Sequence, residues 1–258
     1  MAKKWAAFPH PDKAFARDAA GVKKAWARLH KSDCEPLPKD AAVLDAWRHY
    51  HAGEFADAVS AGRKAGGAGV NAAVKAQMIY ANYLEKSESA KLALLEEAAG
   101  WADARRREAP KDANAHYLYA YSLGRYSQGI SITKALAQGF GGKIKDALTT
   151  AHKLEPKHAE AWTAFGAYQA EVIAKVGGLV AGMTYGAKKE SAQACYQKAL
   201  KLFPESPIAH IEYANGLMLL FGKSRIDEAT KLYEQAAAQK PADAMERLDV
   251  EHAASELE

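Results

Sequence analysis

The chain has 258 residues, a net charge of +4 and 26% charged residues, a balance that argues against a disordered chain. Hydrophobic residues make up 49% but aromatic residues only 9%, and much of the difference is alanine, which combines the highest helix propensity with a small side chain. Val, Ile and Thr rarely alternate with polar residues, which argues against an all-β fold and a doubly wound sheet. We therefore expect an all-α protein.

The first predicted element is a helix within residues 12–30. One of its faces carries apolar residues at helical spacing, namely Phe15, Ala19, Val22, Trp26 and Leu29. Residues 1–31 hold eight lysines and arginines against two aspartates. We interpret residues 1–39 as an N-terminal capping helix and its linker. The start of the chain lacks the apolar core of a secretory signal, and there are only two cysteines, so we expect a cytoplasmic protein.

Five helix pairs are predicted next, over residues 40–70, 71–110, 113–156, 159–204 and 207–241. Prolines mark their periodicity, because Pro110, Pro156, Pro204 and Pro241 each follow a helical stretch at spacings of 46, 48 and 37 residues. Periods of this size are typical of helical solenoids. In the last three pairs an alanine lies five residues before the proline, and a larger apolar residue lies three residues before that alanine.

The last predicted element, over residues 242–258, is an acidic helix. It holds six acidic residues against one arginine, and Met245 and Leu248 share one face. A terminal helix with a polar outer face is typical of a solenoid cap. The basic first helix and this acidic helix suggest a head-to-tail contact between copies of the chain, which salt would weaken.

The segments around the prolines resemble the tetratricopeptide repeat. The unit 159–204 carries the residues of its motif, namely Trp162, Phe165, Gly166, Ala192, Tyr196, Ala199 and Pro204. In the unit 113–156, His116 replaces the tryptophan and Ile144 replaces the first alanine. The resemblance implies a right-handed α-solenoid of helix hairpins with terminal capping helices, forming one domain over residues 1–258.

In that family the first helix of each pair lines a concave groove that binds peptides or proteins. Carried over to this chain, the resemblance implies a mostly aromatic and apolar groove formed by Trp47, Tyr50, Tyr117, Tyr121, Arg125, Thr163, Ala167, Ile211, Asn215 and Met218. The lysine, asparagine and arginine set by which some members hold a C-terminal carboxylate is not matched. Binding of chaperone tails is therefore not expected.

Two units are too long for the repeat, and both insertions fall between the first and second helix, at 126–142 and 171–187. Such insertions project from one edge of a solenoid. They are unusually apolar, and their large apolar residues include Ile132, Leu136, Phe140, Val176, Leu179, Val180, Met183 and Tyr185. Either they pack on each other and extend the core, or they wall an apolar pocket. This pattern resembles the repeat domain of the regulator of microtubule dynamics family, which implies a hydrophobic concave surface linked to lipid binding.

No motif for catalysis is present. No histidine is paired with Asp, Glu or Cys at metal-ligand spacing. The segment Gly216–Ser224 fails as a phosphate loop because five residues, not four, separate its glycines. We expect no enzymatic activity, no cofactor and no metal. The basic residues are too dispersed for a nucleic-acid interface, and Lys175 interrupts the most apolar stretch, so we expect no membrane span.

Two hypotheses for function follow. The first is a non-enzymatic adaptor that binds a protein or peptide in the concave groove, with affinity from aromatic anchors. The second is a carrier or sensor of an apolar small molecule, such as a fatty acyl chain, bound near the two insertions. A deep apolar cavity beneath the insertions would favour the second hypothesis. The sequence names neither partner nor oligomeric state.

Overall fold

The structure, a computed structural model, describes residues 5–258, which contain helices and no strand. The first half contains α1 (Ala19–Leu29), α2 (Ala41–Ala52), α3 (Phe55–Ala65), α4 (Gly69–Tyr83), α5 (Glu88–Glu108) and α6 (Ala113–Gln128). The second half contains α7 (Ile132–Ala137), α8 (Phe140–Leu154), α9 (Ala159–Val176), α10 (Gly178–Val180) with the π-helical turn Ala181–Tyr185, α11 (Lys189–Leu202), α12 (Pro207–Phe221), the 3₁₀ turn Gly222–Arg225, α13 (Ile226–Ala237) and α14 (Ala244–Ser255). The all-α prediction is confirmed.

Proline and capping residues explain where the helices begin and end. Helices α6, α9, α12 and α14 each begin three residues after one of the four periodic prolines. Proline disfavours a helical conformation at the residue before it, so the preceding helix stops there. A side chain then caps the next helix: Asp112, Ser206 and Asp243 accept a hydrogen bond from the backbone N–H three residues later.

The helices form two layers of a solenoid. The inner layer consists of α2, α4, α6, α9, α12 and α14, each in contact with the next. The outer layer consists of α3, α5, α8, α11 and α13, and each of these packs against the inner helices before and after it. Buried alanines lie where neighbouring helices meet, namely Ala151, Ala192, Ala199, Ala229 and Ala236. We propose that the chain is organised as the sequence predicts, in five repeats with a cap at each end.

The solenoid closes on itself, because α14 also contacts α2. Both terminal guanidinium nitrogens of Arg28 donate to the carboxylate of Glu246, at 2.6 and 3.0 Å. Arg17 donates to the carbonyl oxygen of Ala242 at 2.9 Å. The basic and acidic ends, which the sequence suggested would pair between copies, therefore pair within one chain. Lys3 and Lys4, counted in the basic end, lie outside the described residues.

Candidate binding cavity

An apolar cavity of about 160 Å³ lies beneath the two insertions. Residues of α6, α7, α8, α9 and the π-helical turn line it, together with residues of α4, α12 and α14. Large apolar side chains line most of it, among them Ile79, Ile144, Leu148, Tyr168, Val172 and Met245. The two insertions meet at one wall, where the ring of Tyr185 packs so closely on Gly141 that a Cβ there would lie 2.7 Å from it.

Five of the eight predicted apolar-ligand residues line this cavity, namely Ile132, Leu136, Phe140, Val176 and Tyr185. The other three, Leu179, Val180 and Met183, do not, and their side chains are 78%, 48% and 82% exposed. These side chains are exposed because α10 and the π-helical turn are short, and Ala181 is their one buried residue. For these three residues the predicted position in the pocket is corrected to the outer surface.

The predicted groove residues are divided among four places. Tyr117, Tyr121, Arg125, Thr163 and Ala167 line the apolar cavity. Ile211 and Asn215 line a neighbouring cavity. Met218 is half-buried against the cluster around Tyr196.

Trp47 and Tyr50 belong to the core instead and are only 1% and 2% exposed. Their rings contact each other, and Trp47 also contacts Trp26 of α1. Met245 and Leu248 of α14 belong to the same core cluster. The groove expected at the first repeat is therefore filled by the chain's own termini, and these two residues offer no surface to a partner.

Sequence reasoning missed the small residues that leave the cavity open. Ala120 and Gly124 lie one turn apart on α6, and Ala164 lies on the facing side of α9, near the predicted groove residue Ala167. A Cβ added at Gly124 would meet nothing within 4 Å. A stripe of small residues on two adjacent inner helices was a readable signal, because such residues leave unfilled space between helices.

One end of the cavity is polar. Arg125 donates to Glu212 at 2.5 Å, and this carboxylate raises the pKa of the guanidinium further above its ordinary value. Beyond the ion pair lies a second cavity of about 320 Å³, lined by Asn82, Glu88, Lys91, Asn215 and His252 among others. Arg125 and Glu212 line both cavities, so an apolar space and a polar space share one boundary.

Tyr168 places an unpaired hydroxyl beside the apolar space. The side chain lines the cavity and is only 7% exposed, and its oxygen has no hydrogen-bond partner among the described residues. Burial raises the pKa of this phenol, so it is a neutral donor at physiological pH. Buried polar groups without a partner are rare in proteins, and a ligand with an acceptor atom would satisfy this one.

The turn between α2 and α3 gathers one group of possible metal ligands. His49, Glu54 and Asp57 have ligand atoms within 4.8 Å of one another, although the sequence spacing did not suggest it. The group is partly occupied by internal contacts, since His49 Nδ1 lies 2.5 Å from Glu54 and Arg48 lies beside both. Nothing else in the described part of the fold marks it as a metal site.

Among the described residues, none of the helices has the length and apolar character required to cross a membrane.

Sequence comparison identifies the family. Residues 69–257 match the sequence model of regulator of microtubule dynamics protein 1-3. The chain belongs to this family. The match begins at the first residue of α4 and so contains every helix that lines the cavity. A search of curated proteins found no match.

A solved structure has the same fold as this chain. The crystal structure of a thermophilic tetratricopeptide-repeat protein of Thermus thermophilus is similar with a TM-score of 0.57. The two chains are 15% identical, and the similarity covers 83% of this chain and 97% of the other. The resemblance to tetratricopeptide repeats is thereby confirmed for the architecture. Fold and family together indicate an interaction scaffold.

Proposed function

We propose that this protein is a non-enzymatic scaffold that binds an apolar chain of the fatty acyl type in the cavity beneath its insertions. The observation that carries the proposal is the cavity itself, with about 160 Å³ of space lined mostly by apolar side chains. An apolar protein cavity of roughly 150 Å³ is sufficient to bind benzene, so this one has room for the end of an acyl chain.

The polar boundary supports an amphipathic ligand. An acyl chain in the apolar cavity would place a polar head near the Arg125–Glu212 pair and the larger polar cavity behind it. Each methylene group removed from water contributes about 0.8 kcal/mol. The apolar chain therefore supplies most of the affinity, and the polar contacts fix which end of the ligand enters first.

A protein partner is the second candidate, and a different observation favours it. Tyr117 and Tyr121 are stacked, with ring centroids 5.8 Å apart, on the wall of the cavity, and Ile132 and Leu136 are half-exposed beside it. Aromatic residues on a pocket wall, with exposed aliphatic residues beside it, are typical anchors for a helical peptide. Such a peptide would insert one apolar side chain into the same cavity.

The experiment fills the cavity from a position where the backbone has room. Gly124→Leu adds a side chain at a cavity-lining site without a clash at Cβ. Gly100→Leu is the matched control, since Gly100 lies in α5, is exposed, and also has open space at Cβ. Binding is measured with a fluorescent fatty acid, and folding is measured by circular dichroism.

We expect the natural protein and Gly100→Leu to bind the fatty acid equally, and Gly124→Leu to bind at least about tenfold more weakly, because the added side chain takes the space of several methylene groups. Equal binding by all three proteins, or no binding by the natural protein, would contradict the acyl-chain proposal. Native mass spectrometry of protein from its own host then reveals whether a peptide occupies the cavity instead.

A further inference from the structure

The outer surface of the second insertion carries an unusual apolar patch, which we call the crest, formed by Leu179, Val180 and Met183. Leu179 and Met183 are the two most exposed large apolar side chains among the described residues, at 78% and 82%. They are four residues apart, so they lie on one side of the short helical stretch. Single exposed apolar residues are ordinary, but a contiguous group marks an interaction surface.

The two insertions and the residues just after them carry a net positive charge. Segments 126–146 and 171–190 contain three acidic residues and six lysines, namely Lys134, Lys143, Lys145, Lys175, Lys188 and Lys189. Their net charge is therefore +3, whereas the whole chain has a net charge of only +4. The two segments are neighbours, because a Cβ at Gly186 of the second would lie 3.7 Å from the amine of Lys145 of the first.

We propose that this edge docks on an anionic lipid bilayer, with the crest inserted between headgroups and the lysines on the lipid phosphates and carboxylates. Exposed apolar side chains beside lysines match the interface of such a membrane, where burial and charge attraction add together. The flexible lysine side chain can keep its ammonium group hydrated while it lies at the headgroups. An acidic protein surface would match the lysines but not the exposed apolar side chains of the crest.

The position of the crest next to the cavity is a second reason to propose membrane docking. Val176 lines the apolar cavity, and the crest begins three residues later in the same segment. Tyr185, which follows the crest, also lines the cavity. Docking would therefore bring a wall of the cavity to the bilayer surface. The inference goes beyond the proposed function and does not require it, since the residues of the crest do not line the cavity.

The test uses vesicle co-sedimentation of the full chain. Vesicles of phosphatidylcholine alone are compared with vesicles that also contain phosphatidylserine. Leu179→Ser with Met183→Ser removes the crest, and its matched control is Leu37→Ser with Leu154→Ser, two exposed leucines outside both insertions. Lys143→Glu with Lys188→Glu reverses charge on the edge, and its matched control is Lys201→Glu with Lys240→Glu, two exposed lysines near the ends of α11 and α13.

We expect the natural protein and both controls to sediment with the anionic vesicles and much less with the neutral ones. Each edge variant should lower the fraction bound by about tenfold or more, and high salt should weaken binding. No sedimentation of the natural protein, or equal loss in edge variants and controls, would overturn the proposal. A dimer in solution that the crest variant abolishes, without vesicle binding, would assign the edge to a second copy instead.

Fatty acid binding by the crest variant separates this proposal from the preceding one. The variant leaves the cavity lining intact, so it should bind the fluorescent fatty acid as the natural protein does. Vesicle binding without fatty acid binding would refute the cavity's role and leave the docking in place, and the reverse would refute the docking alone.

Discussion

At the scale of single residues, one of the closest side-chain contacts in the molecule is between Tyr196 and two glycines. Tyr196 is buried on α11, and its ring lies against Gly166 of α9 and Gly216 of α12. A Cβ at Gly216 would lie 2.6 Å from the hydroxyl oxygen of Tyr196, and one at Gly166 would lie 2.9 Å from its ring. The aromatic ring thus occupies the space that two side chains would need.

We expect Gly216→Ala to lower the free energy of unfolding by about 1–3 kcal/mol, the usual cost of overpacking a core. Gly100→Ala is the control, because a Cβ at this exposed position in α5 meets nothing within 4 Å. It should raise the free energy of unfolding by about 0.5–1 kcal/mol, since alanine is the better helix former. Urea denaturation measures both. Equal effects of the same sign would mean that packing on Tyr196 is unimportant.

Part of this packing could be predicted from the sequence. Gly166 and Tyr196 are motif positions of one repeat, and the motif pairs a small residue with a large one. Gly216 belongs to the next repeat, and its contact with Tyr196 depends on how one helix pair stacks on another. A periodic pattern fixes the helices within a unit, but it does not give the rotation between units.

At the scale of one element, α4 is a deeply enclosed helix, with 13 of its 15 residues buried. Lys75 lies on it and donates to Asp33 at 2.6 Å and to Glu160 at 3.0 Å. Burial alone would lower the pKa of Lys75, but the two carboxylates outweigh it and raise that pKa well above its ordinary value. The reverse holds for Asp33, whose pKa Lys75 and His30 keep well below its usual range against the effect of burial.

We expect Lys75→Met to destabilise the protein by about 3–5 kcal/mol, because it leaves two buried carboxylates without their cation. Arg225→Met is the control, since Arg225 pairs with Glu228 on the surface and such pairs contribute at most about 1 kcal/mol. The midpoint of urea unfolding at neutral pH measures the difference. A Lys75→Met variant as stable as the control would mean that water reaches the cluster freely.

The sequence could not have indicated this cluster. The helix itself was predicted within the unit 71–110, but Asn71, Lys75 and Gln77 interrupt its apolar pattern and look like a solvated face. They are buried because the segment after α1 crosses to α9, where the carbonyl oxygen of Ser32 accepts a backbone hydrogen bond from Glu160 at 3.0 Å. A contact between residues this far apart in the chain leaves no periodic trace. The cavity likewise leaves no periodic trace, because its lining includes residues of the distant helices α4, α12 and α14.

At the scale of the whole molecule, a chain of four side chains fastens the closed ring of inner helices. Asp33 lies 2.9 Å from His30 Nδ1, the Nε2 atoms of His30 and His51 lie 3.2 Å apart, and His51 Nδ1 lies 2.6 Å from Asp243. All four residues are buried. Asp243 caps α14, so the chain of contacts joins the C-terminal helix to α2 and to the segment after α1.

The contact between the two imidazoles fixes their protonation. One Nε2 must donate and the other must accept, so the two rings cannot both be fully protonated. Burial lowers the pKa of His51, although the hydrogen bond to Asp243 opposes this. The opened state, with an ordinary pKa near 6.5, therefore binds a proton more readily than the closed state. Closure is fully stable above that pH and weakens as the pH falls below it.

The pKa of Asp243 is itself lowered, through His51 and despite burial, so its own contribution is lost only at a much lower pH, below the ordinary aspartate value of about 3.8. The first loss of closure on acidification therefore belongs to the imidazole. Each pH unit below about 6.5 removes up to about 1.4 kcal/mol for one proton taken up, until the pH reaches the depressed pKa of His51.

We therefore expect acidification from neutral pH to about pH 5 to open the junction of α1, α2 and α14 before the rest of the solenoid. Amide hydrogen exchange, corrected for its intrinsic pH dependence, should show lost protection in these three helices and retained protection in α8, which packs on α6 and α9 instead. A His51→Gln variant should be less stable at neutral pH but lose little more on acidification, whereas His10→Gln should behave as the natural protein does. A uniform loss of protection along the chain, or an unchanged pH response in His51→Gln, would show that closure does not depend on this histidine. Stacking between neighbouring repeats would in that case hold the two ends together, as it holds every other repeat in place.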